Sequence, residues 1–441
     1  MAGKGWGNGA VGKWGDGIPI PQHPNTPFGD YVSTVAIVKC DDYTPSAVLR
    51  AVREAVDLLG GMGQFVSQGQ KVLLKPNLLS SKPPDSAVCT HPAIVEAVAG
   101  LATAAGGICS VGDSPSIGAE NWDKYERLLQ VTGMAEAIER AGIEPVRFDD
   151  AHAEREIPEA KVFHRLLLTK ALDDCDVLIN IPKLKTHGLV LFSGAVKNLF
   201  GCVPGRRKGM FHLQAGDNPE MFAQMLVDVC RAVRPRLSIM DGIVGMDGQG
   251  PGAGRRRSFG LIIASADPVA LDATACRVAG IDPMTIPTLR VASEQGVGIA
   301  DGIEVLGLQP EEVHIDDFLM PEGGDLVRRI PKPVYRALRN QIVVSPAFIR
   351  AKCTGCRQCI EMCPMNVITS EDSPSSPSRI TNHGSRLKIN YSSCIRCYCC
   401  HEVCPQEAIY LRNGRLRGSV SALLAVRRAI VAVLKRETSG Q

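Results

Sequence analysis

Eight of the sixteen cysteines fall into two runs of identical spacing. Cys353, Cys356, Cys359 and Cys363 are followed by Pro364; Cys394, Cys397, Cys400 and Cys404 are followed by Pro405. Both runs read C-x2-C-x2-C-x3-C-P. Three closely spaced thiolates suit three irons of a cubane, and the proline turn holds the fourth cysteine away from them. Zinc favours two separated C-x2-C knuckles over two such quartets, so iron–sulfur clusters are the expectation. Cys399 stands outside the template, as a small buried packer. Sixteen cysteines in a large chain that opens without a signal-like segment point to metal thiolates in a reducing cytoplasm rather than to disulfides.

A second set of chemical residues gathers where short apolar runs break off. KPNL supplies Lys75 and Asn77, and GDSP supplies Asp113. KLKTH supplies Lys183, Lys185 and His187, VKN supplies Lys197 and Asn198, and MDG supplies Asp241. GMDGQGP and ADPVALD, with Asp267 and Asp272, follow. Any one lysine here suits a solvated loop end. Several such loops on one sheet edge suggest a shared cationic pocket for a small anionic ligand. Lys185, His187, Lys75 and Asp113 are the candidates for catalysis, with His187 as general acid/base or metal ligand. Asn77, Lys183, Lys197, Asn198 and Asp241 are the candidates for holding a ligand or cofactor. GMDGQGPGAG is neither a dinucleotide fingerprint nor a P-loop. RKGMFHLQAG (207–216) is a possible mobile lid carrying His212.

The elements that must position these residues alternate. TVAIVKC, KVLLKP, GICSVGD, DVLINIPKLKTH, RLSIMDGIVGM and FGLIIAS read as strands; SAVLRAVREAVDLL, PAIVEAVAGLATAA and PEMFAQMLVDVCRAV read as helices. This predicts an α/β fold, a mostly parallel sheet with helices on both faces. The expected organisation is a Gly/Pro-rich arm over 1–30, an α/β domain over 31–326 and a linker over 327–347. A small α+β two-cluster domain over 348–411 and a basic tail with one helix over 412–441 complete it. A formal charge of +3 and no basic, aromatic-rich patch argue against nucleic acid. The longest apolar stretch, in the tail, is broken by Arg427 and Arg428, so no transmembrane segment is expected. The tail helix suits packing on the body, with a membrane surface or a partner as the other possibility.

Residues 348–411 resemble bacterial two-cluster ferredoxins. The resemblance implies crossed ligation: Cys353, Cys356, Cys359 and Cys404 on one [4Fe-4S] cluster, Cys394, Cys397, Cys400 and Cys363 on the other. KPNL, the glycine–aspartate turn, IPKLKTH with GAVKNLFG, and DG…GMDGQGP…DPVALD resemble, over roughly 33–310, the family catalogued as domain of unknown function 362. Members of that family often carry such a ferredoxin module. A more distant similarity to lactate-racemase-type proteins would imply a cofactor held by Lys and His, chemistry that these motifs do not carry. Together these features predict an iron–sulfur oxidoreductase that exchanges electrons with a donor or acceptor protein. The alternatives are an electron-transfer or scaffold protein without its own chemistry, and a non-redox enzyme with structural or sensing clusters.

Overall fold

The computed structural model describes residues 32–115, 121–205, 207–216, 218–321, 343–370 and 387–412. The arm, most of the linker and the tail helix lie outside them. Strand β1 (Thr34–Lys39) is followed by helix α1 (Pro45–Leu58), β2 (Lys71–Pro76), α2 (Pro92–Ala104) and β3 (Ile108–Asp113). Proline opens both helices, where its missing N–H is no loss. Helices α3 (Trp122–Val131) and α4 (Met134–Ala141) lead to β4 (Glu144–Arg147), and β5 (His152–Glu156) pairs only with β6 (Arg165–Thr169). Next come β7 (Val177–Ile181), β8 (Lys183–His187), β9 (Leu191–Ser193), α5 (Ala195–Asn198), α6 (Arg207–Ala215) and α7 (Pro219–Val233). The domain closes with β10 (Leu237–Asp247), β11 (Arg255–Ser265), α8 (Pro268–Val278), α9 (Pro287–Glu294) and β12 (Glu304–Gly307).

The sheet runs β12-β1-β11-β10-β7-β2-β3-β4, with β8 and β9 branching from β10. It is parallel except where β11 returns antiparallel to β10 and β1 and where β9 returns along β8. Side chains alternate between two cores, as strand pleating requires. Val35, Ile37 and Leu73 enter the core under α5, α7, α8 and α9. Ala36, Val38, Val72 and Leu74 enter the one under α1, α2 and α4. The α/β expectation holds, with one difference in DVLINIPKLKTH. The run is two strands, because Pro182 has no N–H for the ladder. After the break β8 leaves β7's line, and all five of its residues, Lys183 to His187, are buried.

The C-terminal module is built twice over. Strand β13 (Ser345–Phe348) pairs with β16 (Ile409–Arg412), and β14 (Ile368–Ser370) pairs with β15 (Leu387–Ile389). Its first strand starts inside the stretch read as linker, since Val343 and Val344 already have core burial. The short helices α10 (Gln358–Glu361) and α11 (Cys399–Glu402) occupy equivalent places in the two cysteine runs. Their entry residues Arg357 and Tyr398 have φ of 62° and 61°, and Asn366 and Glu407 have φ of 50° and 49°. By this correspondence Gln358 matches Cys399 and Glu361 matches Glu402. Among the described residues no helix is long and apolar enough to cross a membrane.

Candidate functional site

The eight template cysteines sort around two clefts, each of about 340 Å³. Cys353, Cys356, Cys359 and Cys404 line one; Cys363, Cys394, Cys397 and Cys400 line the other. Phe348, Leu387 and Ile409 wall the first with apolar surface, and Pro346, Ile368 and Ile389 wall the second. The Val367 N–H donates to Cys363 Sγ at 3.4 Å and the Ala408 N–H to Cys404 Sγ at 3.2 Å. Such donors stabilise a thiolate. Among the described residues no three ligating side chains converge on a single ion. The two quartets, each ringing its own cleft, have the thiolate number and spacing that cubane clusters use. Cys356 is exposed, whereas Cys394, Cys397 and Cys400 are buried. The first quartet thus has one exposed member, whereas the second lies beside the α/β domain, where a Cβ on Gly188 would stand 3.3 Å from the Tyr398 ring. Cys399 is buried as expected, and it lies within electrostatic reach of Lys197.

In the α/β domain most of the predicted polar residues pair with one another. Lys75 Nζ lies 2.8 Å from Asp113 Oδ1, both buried, and Asp113 also accepts the Leu78 and Ser114 N–H groups. Lys183 Nζ lies 2.7 Å from Asp241 Oδ2 and donates to Tyr43 Oη at 2.8 Å. Tyr43 in turn donates to Asp241 Oδ1 at 2.9 Å, and its ring stacks on His91 at 3.7 Å. Lys185 Nζ donates to Asn77 Oδ1 and to the Val88 carbonyl, both at 2.6 Å. Burial without an anion pulls Lys185 down to about 7. Asn77 donates to Asn198 Oδ1, and Asn198 donates to Asn180 Oδ1 at 2.8 Å. Asp272 accepts the Ala195 and Val196 N–H groups at 2.5 and 3.0 Å, tying down the start of α5, and Asp267 caps α8. Lys75, Asp113, Lys183 and Asp241 thus hold the strand ends together rather than opening onto one cationic pocket. Sequence reasoning gave no place to Tyr43, His91 or Asn180; only their partners' identity would have marked them.

Lys197 is the exception. It forms no hydrogen bond or ion pair with any described residue, and its ammonium lies 5.6 Å from the centre of the Phe200 ring. Near it are His187, His212 and, from the other module, Glu402. His187 Nδ1 accepts the Leu189 and Val190 N–H groups at 3.1 and 3.3 Å, so the ring's proton sits on Nε2. Nε2 is 3.1 Å from Glu402 Oε1, without the alignment of a full hydrogen bond. Burial, reinforced by Lys197, holds His187 down at about 4 and His212 at about 3. Burial alone would raise Glu402, but His187, Lys197 and His212 together hold it at about 2. His212 Nδ1 has no hydrogen-bond partner. The segment read as a lid is helix α6, fixed by Phe211 against Phe163 and Phe200 at 4.4 and 5.1 Å between ring centres. It brings His212 to the site without needing to move.

The two modules meet here. Thr186 Oγ1 donates to the Gly248 carbonyl and accepts the Gly250 N–H, pinning the GMDGQGP loop beneath α11. His401 Nε2 lies 3.4 Å from the Gln249 carbonyl, and Lys82 pairs with Glu407 at 3.1 Å. Gly252 passes so close that a Cβ there would stand 3.1 Å from the Glu402 carbonyl.

Comparison with known proteins agrees with this two-module organisation. The family described as Domain of unknown function (DUF362) matches residues 72–277, and the one described as 4Fe-4S dicluster domain matches residues 352–408. The thylakoid-associated protein sll1697 of Synechocystis sp. is 38% identical over 297 residues, covering 66% of this chain and 88% of that protein. NADH-quinone oxidoreductase subunit I 2 of Symbiobacterium thermophilum is 37% identical over 62 residues, 14% of this chain and 25% of its own length. Among solved structures, the lactate racemase apoprotein from Thermoanaerobacterium thermosaccharolyticum is 13% identical with a TM-score of 0.36, covering 58% of this chain and 59% of that one. The C-terminal module is an iron–sulfur-binding domain of the electron-transfer type. The chain belongs to the DUF362 family, with a 4Fe-4S dicluster ferredoxin domain at its C-terminal end.

Proposed function

We propose that the chain is an iron–sulfur oxidoreductase acting on a small anionic ligand held at the seam between its two modules. Two [4Fe-4S] clusters, one on Cys353, Cys356, Cys359 and Cys404 and one on Cys394, Cys397, Cys400 and Cys363, would supply one-electron transfer there. The observation that carries the proposal is the position of α11. It includes Cys399 and Cys400 and sets Glu402 against His187, in electrostatic reach of Lys197. Lys197, His187 and His212 bind and orient the anion. Lys185, held near 7, can keep or release a proton at neutral pH. The buried faces of β8 and α11 exclude water. The exposed end at Cys356, flanked by exposed Arg350 and Lys352, suits docking of an acidic electron donor or acceptor protein. The cysteine usage fits a reducing cytoplasm, and the name of the Synechocystis relative fits attachment at a membrane's surface.

Anaerobic purification with mass spectrometry of co-purified small molecules tests this directly. Dithionite-reduced chain should be reoxidised by the molecule found. Lys197→Met should abolish that reoxidation while iron content stays unchanged. Reoxidation that survives in Lys197→Met would place the chemistry elsewhere. The rival, an electron-transfer or scaffold protein without its own chemistry, draws on the buried Lys75–Asp113 and Lys183–Asp241 pairs, which serve the fold. Under it, Lys197→Met would weaken binding of a partner protein instead.

A further inference from the structure

Every other lysine placed at this sheet edge has its own acceptor within the α/β domain. Lys75 has Asp113, Lys183 has Asp241, and Lys185 has Asn77 and the Val88 carbonyl. Lys197 has none, and the nearby His212 Nδ1 is buried without a partner. The groups that offset its charge come from the other module, Glu402 first and then Cys399. A carboxylate has two oxygens and about four acceptor positions. Glu402 faces these groups from a backbone fixed in the turn after Cys400, but it approaches His187 alone, with one oxygen at 3.1 Å out of line. Its twin in the other repeat, Glu361, sits on the same turn in solvent. The turn itself therefore does not require a buried acid.

We propose that Lys197, His187 and His212 form a seat for the carboxylate of a small-molecule ligand, and that Glu402 fills this seat in the ligand-free chain as a tethered competitor. A free carboxylate can orient both oxygens toward the three donors, which the tethered one does not. Ligand entry then requires only that the Glu402 side chain swing out or α11 draw back from β8. The proposal rests on the seam being the ligand site, as above. Its test is equilibrium binding to the oxidised, cluster-loaded chain, which needs no electron transfer. Failure of this test therefore leaves the electron-relay reading standing, and failure of electron delivery leaves this one standing.

The probe is propionate, which matches the Glu402 side chain beyond its Cα. Calorimetric titration should show one saturable site in Glu402→Ala, with affinity at least about tenfold above the parent chain because the tethered competitor is gone. Glu402→Gln, which preserves the packing around α11, should shift in the same direction and carries the test if the alanine variant loses iron. Glu361→Ala should bind like the parent. Adding Lys197→Met to Glu402→Ala should return the affinity to the parent's level. Unchanged propionate affinity in both Glu402 variants would overturn the proposal. So would a gain that survives Lys197→Met, or equally tight binding of inorganic phosphate at the same site.

Discussion

Asp241 accepts from Lys183, from Tyr43 and from the His91 N–H, with no exposed surface of its own. Replacing it with alanine leaves a buried ammonium without its counter-charge, which should cost about 3–5 kcal/mol. Urea unfolding of Asp241→Ala against the parent measures this; a loss below about 1 kcal/mol would mean that Lys183 simply sheds its proton. Asp272→Ala frees two N–H groups at the start of α5, the helix that carries Lys197. It should lose about 1–3 kcal/mol in the same assay and also weaken ligand binding. Much at this scale was legible beforehand, since the cysteine spacing and the ferredoxin resemblance it carries anticipated which four thiols share each cleft. Lys197 and His187 were also singled out by their types and position. Glu402 was not, because CHEVCP reads as a cluster motif and nothing within it reveals which domain will lie against it.

Among the elements, β8 departs most from what its sequence suggests. KLKTH reads as the polar end of the strand begun by DVLINI, yet it is a separate, buried strand whose cations are satisfied across the sheet. Pro182 explains the break from β7, but the pairing of β8 with β10 depends on chain some sixty residues away, beyond the reach of local pattern. The helices were legible from periodicity because their cores are built from local i, i+3, i+4 stripes. Helix α6 was missed for lack of such a stripe, its anchors being aromatic contacts from elsewhere. The helix α6 and strand β8 histidines also set a pH response. His212 and His187 are held below the ordinary 6.5, so between there and about 4 the unfolded chain binds more protons. Their stabilising effect is present above 6.5 and is lost as pH falls through the folded values, at up to about 1.4 kcal/mol per pH unit for each group. The urea midpoint should therefore drop between pH 7 and pH 5, and less steeply in His212→Phe. A flat profile would show that these rings charge freely in the folded chain.

At the scale of the molecule, the α/β class and the ferredoxin module were both evident from sequence, whereas their docking was not. Single residues meet across the seam, among them His187 and Gly252 against Glu402, Gln249 against His401 and Lys82 against Glu407. Gly252→Val should force the modules apart. Faster amide hydrogen exchange in residues 399–402, with iron content retained, is the expected result; unchanged protection would mean that the loop yields instead. Loading of the oxygen-free chain should give about eight irons, and Cys356→Ser should remove about half of them. The unequal exposure of the two quartets has a further consequence for handling the protein. Dioxygen meets the Cys356 end directly but must cross packed protein to reach Cys394, Cys397 and Cys400. Bleaching in air should then proceed in two phases, leaving for a time a half-loaded chain whose surviving centre is the one beside the seam.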